Sequence, residues 1–140
     1  MRIIDMHCDT LIEGWRKPER SFYDGDTSIN LKLLKENGSL LQFFAMYLSR
    51  IEMKTMDSYD ILKGIYGYYK TQMEKYSDII KPVYSAQDVL ENEKKGLLSS
   101  LLTVEGRSFS LRISAAGPKT HTRSICSKKG RSQSVRFVTA

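Results

Sequence analysis

Nine residues, Leu40-Leu41-Gln42-Phe43-Phe44-Ala45-Met46-Tyr47-Leu48, form a nearly continuous apolar run rich in aromatic side chains. A run of this length without polar alternation forms a strand covered on both faces, the situation of strands in parallel sheets. A second run, Leu97-Leu98-Ser99-Ser100-Leu101-Leu102-Thr103-Val104, repeats the pattern and delivers Glu105 and Gly106 at its end. Between the two runs the period changes. From about Met56 to Tyr76, the residues Leu62, Ile65, Tyr66, Tyr69, Met73 and Tyr76 follow helical spacing, with Lys63, Lys70, Glu74 and Lys75 between them. Packing against a sheet explains this aromatic stripe better than a platform for stacked bases does. Gly64 and Gly67 weaken the helix slightly.

The shorter elements fit the same plan. Arg2-Ile3-Ile4 predicts a first strand, and Asp9 to Trp15 a turn or short helix. Residues 17–26, with Pro18, Asp24 and Gly25, read as a polar loop without core residues. Asn30 is an N-cap for a helix over Leu31 to Glu36 that stops at Asn37-Gly38. Ser85-Ala86-Gln87-Asp88 resembles a capping box with Asp in place of Glu or Gln, opening a helix that runs to Lys94-Lys95 and stops at Gly96. The predicted order is strand, helix, strand, helix, helix, strand, an α/β arrangement of parallel strands with helical crossovers.

Polar residues gather where these strands finish. In an extended strand Asp5, His7 and Asp9 project to one face while Ile4, Met6 and Cys8 project to the other. Imidazole nitrogen and carboxylate oxygen are both good ligands for zinc and its neighbours. A solvated polar strand end explains the same pattern equally well. In a closed parallel barrel, Glu105 would join Asp5, His7 and Asp9 on the carboxyl-terminal rim, where barrel enzymes keep their chemistry.

Charge divides the chain in two. Its 140 residues carry a net charge of +6, yet residues 107–140 hold eight Lys or Arg and no acid, whereas residues 1–106 carry 14 basic and 16 acidic residues. The basic tail also holds seven serines and no sustained period, which predicts an unstructured segment. No stretch approaches the roughly 18 apolar residues of a membrane span. The two cysteines, Cys8 and Cys126, make neither a paired metal motif nor a disulfide framework, so the expected location is cytoplasmic.

At three places the sequence resembles the membrane (renal) dipeptidases and their bacterial homologues, a family of zinc metallopeptidases. Asp5-Met6-His7-Cys8-Asp9-Thr10 is similar to the family's opening motif, Gly38 with Gln42-Phe43-Phe44-Ala45 and Tyr47 to its second strand, and Leu101-Leu102-Thr103-Val104-Glu105-Gly106 to its third. The resemblance covers about residues 2–106. It implies the amino-terminal portion, about three strand units, of a (β/α)8 TIM-type barrel that holds two zinc ions and hydrolyses dipeptides. By the same resemblance His7 and Asp9 hold the first metal, Glu105 bridges the two, and a hydroxide shared between them attacks the scissile carbonyl. Asp5 is expected behind the ligands rather than among them.

The likeness stops at Gly106. Two further histidine ligands, a substrate-binding histidine and a proton-handling aspartate of the family have no matching positions, and His121 lacks both strand context and motif. The expectation is a truncated, inactive metallodipeptidase fragment whose residues 107–140 come from a shifted reading frame. Its open sheet edges would favour self-association through Phe43, Phe44 and the Tyr66/Tyr69 face. A non-enzymatic α/β module with a basic tail that binds nucleic acid or an anionic surface is the alternative, although nucleic acid is not the expected partner. Asp-x-His-x-Asp strand ends recur in other metal-dependent hydrolases, but the segment ending in Glu105-Gly106 argues against those.

Overall fold

The computed structural model describes residues 2–105 and, beyond them, the segments 110–113, 122–126 and 132–136. Contacts divide the chain into two compact units that meet between Glu105 and Gly106. In the first unit the strands β1 (Ile3–Asp5), β2 (Ser39–Tyr47), β3 (Ile80–Pro82) and β4 (Leu98–Glu105) pair in parallel, in the order β1-β2-β4-β3. Four helices connect them: α1 (Thr10–Arg16), α2 (Leu31–Glu36), α3 (Ser58–Lys75) and α4 (Ala86–Lys94). The predicted caps form. Asn30 Oδ1 accepts from the Leu33 N–H, and Ser85 and Asp88 exchange both bonds of the capping box. Among the described residues no helix is long and apolar enough to cross a membrane.

The strand β3 has no counterpart in the sequence reading. Ile-Lys-Pro is too short to show a period, and Pro82 supplies no N–H, a lack that is tolerated because β3 pairs only with β4, at the edge of the sheet. This placement explains the helix layers. Chain direction runs one way across the sheet from β1 to β2 to β3 and then steps back to β4, so right-handed crossovers put α4 on the face opposite α1 and α3. Hydrogen bonds agree: Tyr69 of α3 meets Ser100 on one face, and Asn92 of α4 meets the neighbouring Ser99 on the other.

The main core lies under α1 and α3. Leu11, Ile12, Phe44, Met46, Ile61, Ile65, Tyr69 and Met73 are buried there. Two close approaches lock the helices together. Gly14 of α1 lies against the Tyr68 ring of α3, and Gly64 of α3 lies against Trp15 of α1, where an added Cβ would stand 2.5 Å from the indole nitrogen. Gly64 therefore weakens its helix in exchange for contact between the two.

Two expectations are corrected here. The polar loop over residues 17–26 contributes Phe22 to the core, 2% exposed and in ring contact with Phe44, Tyr68 and Tyr76; a single aromatic in a loop carries no period to reveal it. Phe44 and Tyr69, expected to be association surfaces, are covered within the unit. Beyond Glu105 the described segments are β5 (Ser110–Ile113), β6 (Thr122–Cys126) and β7 (Ser132–Arg136), paired antiparallel in that order.

Candidate metal centre

Two strand ends meet because β2 lies between them. On one edge the Ala45 N–H donates to the Cys8 carbonyl at 3.1 Å, and on the other the Leu48 N–H donates to the Glu105 carbonyl at 3.2 Å. Residues far apart in sequence are thus held on the two sides of one strand. The register pairs Tyr47 with Glu105, so β4 ends level with the end of β2.

The route by which His7 and Asp9 converge differs from a period-two strand. Regular pairing ends at Asp5, whose carboxylate accepts the His7 N–H at 3.1 Å, and the chain stays on the edge of β2 as far as Cys8. Asp9 then occupies the N-cap of α1 and makes no side-chain cap bond. Ile4 and Met6 are exposed and Cys8 is buried. The groups come together through a segment bonded to the edge of β2 and then a helix start.

The resulting geometry is compact. His7 Nε2 lies 3.5 Å from Asp9 Oδ1, and His7 Nδ1 lies 3.7 Å from Glu105 Oε1. One ligand atom from each of the three residues lies within 4.8 Å of the others. All three side chains are about half exposed, at 50%, 47% and 45%. Among the described residues no lysine or arginine forms an ion pair with Asp9 or Glu105, so the two carboxylates leave negative charge uncompensated. Cys8 is buried next to these residues: burial pushes its thiol up to about 11, bonds from Thr10 offset part of the rise, and the charges of Asp5 and Asp9 add to it. His121 lies outside the described residues.

Sequence reasoning assigned no role to Thr10 or Glu13. The fully buried Thr10 hydroxyl donates to the Ile29 carbonyl at 2.7 Å and accepts the Ile29 N–H at 3.1 Å. The Glu13 carboxylate accepts the Ser28 N–H at 2.7 Å and its hydroxyl at 2.6 Å. The one sequence clue was the position of Thr10, directly after Asp9.

Residues 1–115 match the family model for membrane dipeptidase (peptidase family M19), and the match runs past the Gly106 boundary at which the sequence likeness was judged to stop. The chain is similar to the crystal structure of a metallopeptidase of this family described as dipeptidase AC, with a TM-score of 0.64, 21% identity, and coverage of 76% of this chain and 35% of that one. It is also similar to a metallopeptidase from Rhodobacter sphaeroides bound to a phosphinate mimic of the dipeptide L-Ala-D-Ala, with a TM-score of 0.65, 19% identity, and coverage of 76% and 38%. The chain thus spans little more than a third of the solved structures it matches. No curated protein matches it.

Proposed function

The chain belongs to the membrane dipeptidase family, and from that premise we propose that it is the amino-terminal, metal-gripping portion of a metal-dependent dipeptidase, with His7, Asp9 and Glu105 as ligands of a divalent cation. The convergence of these three groups within 4.8 Å carries the reading. The donor set suits zinc, which takes one imidazole nitrogen and carboxylate oxygens at about 2.0–2.2 Å each. Ligand atoms around such an ion stand roughly 3–3.5 Å apart, whereas one atom from each of the three residues lies within 4.8 Å of the others. Asp9 stands beside Nε2 and Glu105 beside Nδ1, so the imidazole has to turn for one nitrogen to face a cation held by both carboxylates. Two carboxylates without a basic partner also favour a dication on electrostatic grounds.

A bound zinc ion supplies Lewis acidity, polarising a carbonyl and lowering the pKa of water. The part this chain plays is to hold and orient. Glu105 has two oxygens and stands at a strand end, so one carboxylate can serve two ions, which is the bridging role we assign to it. Asp5 works behind the ligands, because its carboxylate fixes the backbone of His7. The substrate class we assign to the complete family site is a dipeptide; among the described residues the cluster consists of His7, Asp9 and Glu105.

We also attribute the change in character after the third family motif to a shifted reading frame. The family match reaches residue 115, so the break on this reading falls later than Gly106. Translation of the gene in its other frames tests the point: family-like sequence in another frame supports it, and its absence from both removes it.

The test of the metal reading is a zinc titration of the full chain by calorimetry, with Asp9→Asn and Glu105→Gln alongside. The expected result is binding that weakens more than about tenfold in either variant, and little or no dipeptide turnover. Binding that both substitutions leave unchanged overturns the ligand assignment. Zinc-dependent dipeptide hydrolysis by the purified chain overturns the assignment of inactivity.

A further inference from the structure

Resting on the metal reading above, we propose that Thr10 is a positioning residue for Asp9, fixing its backbone through the peptide group of Ile29. Asp9 lacks the usual means of orientation. It is the N-cap of α1, with φ −94° and ψ 8°, yet its side chain accepts no bond from the helix. The helix itself has seven residues, too few to persist without tertiary support.

Packing on α3 holds its last turn, and two sets of hydrogen bonds hold its first. The Thr10 hydroxyl both donates to and accepts from Ile29, at 2.7 and 3.1 Å, and is sealed from water. Burial makes this reciprocal pair hard to exchange, because breaking it leaves a buried peptide group and a hydroxyl without partners. Glu13, one turn along, holds the adjoining Ser28 through its N–H and hydroxyl. The segment before α2 therefore grips α1 at two levels, and Asp9 is bonded directly to the upper one. Coordination tolerates errors of only about 0.2 Å in ligand distance, so freeing this turn is felt at the carboxylate before it is felt in the core.

The experiment reads cobalt(II) alone as a zinc surrogate, in the full chain well below its unfolding temperature. Thr10→Val removes the hydroxyl at nearly constant volume, and we expect a fall in affinity of about tenfold to a hundredfold with an altered visible absorption band. Thr10→Ser, which keeps the hydroxyl, should restore both. A Thr10→Val protein that folds and keeps the wild-type affinity and band overturns the proposal while leaving the metal reading in place. Wild-type protein whose cobalt binding is indifferent to Asp9→Asn overturns the metal reading instead, and this proposal with it. Should Thr10→Val not fold, wild-type hydrogen exchange decides: coupling is reciprocal, so metal must slow exchange of the Ile29 amide, and an unchanged rate sinks the idea.

Discussion

The two faces of β2 and β4 carry different work although they are made by alternate residues of the same strands. Toward α1 and α3, Gln42, Phe44, Met46 and Ser100 are each at most 1% exposed. Toward α4, Phe43 and Leu101 are half-buried, Tyr47 is 39% exposed, and Glu105 completes the row at the strand end. The first face is closed along β2 and at the start of β4, and opens only at Val104, which is 37% exposed. The second is covered at its start, where Asn92 of α4 meets Ser99, and open at its finish, where the candidate ligands stand. Stability therefore depends on one set of alternate residues and chemistry on the other.

The widest difference should come from Phe44→Ala. The side chain is sealed between the sheet and the aromatic group of Phe22, so truncation should cost about 3–5 kcal/mol in chemical denaturation, with Phe43→Ala costing less than half as much. Equal losses would erase the distinction between the faces.

His7→Ala asks the converse question. Zinc at a hundred times its dissociation constant should add about 2.7 kcal/mol to wild-type stability. The substitution should abolish that increment and leave the metal-free protein within roughly 0.5 kcal/mol of wild type, because the side chain is half exposed. A large loss of metal-free stability would mean that the open face carries structural load as well.

Gly64→Ala and Gly67→Ala sharpen the comparison within α3 itself. A Cβ at Gly64 collides with Trp15, so a loss of about 1–3 kcal/mol is expected. A Cβ at Gly67 meets nothing, so the same change there should gain roughly 0.5–1 kcal/mol from helix propensity. Thermal unfolding of the pair measures both signs.

The smallest effect belongs to the α4 side. The hydrogen bond from the Tyr84 N–H holds the Asp88 carboxyl below its ordinary value against the opposing effect of desolvation, and bonds with Ser85 add to the depression. A depressed folded-state pKa contributes stability above the unfolded value, and that contribution is lost as pH falls through the folded one. Asp88→Asn should therefore be less stable than wild type at neutral pH, with the gap closing in acid. A gap independent of pH would assign the effect to geometry rather than charge.

Much of this was legible in order along the chain. The runs that became β2 and β4, the stripe that became α3 and the caps at Asn30 and Ser85 are local patterns, and local hydrogen bonding or burial enforces them. Phe22 and β3 were not legible, because one aromatic or three residues cannot display a period, and only the surface they pack against gives them a role. Thr10 stands in the opening motif, but what it bonds to was invisible for a related reason. Its partner is Ile29, and nothing in the intervening loop announces that the two will meet.

By itself the sequence determined which residues could ligate a metal, since imidazole and carboxylate chemistry belongs to the side chains of His7, Asp9 and Glu105 wherever they lie. Tertiary structure alone decided that they share a site, and by what path. Regular strand pairing ends at Asp5, and the convergence comes from the Asp5 bond to the His7 N–H, a helix start at Asp9, and a central strand whose Ala45 and Leu48 N–H groups hold the two chain segments on opposite edges. Backbone hydrogen bonds across a sheet join residues without regard to their separation in sequence, which is why no reading along the chain could have supplied that geometry.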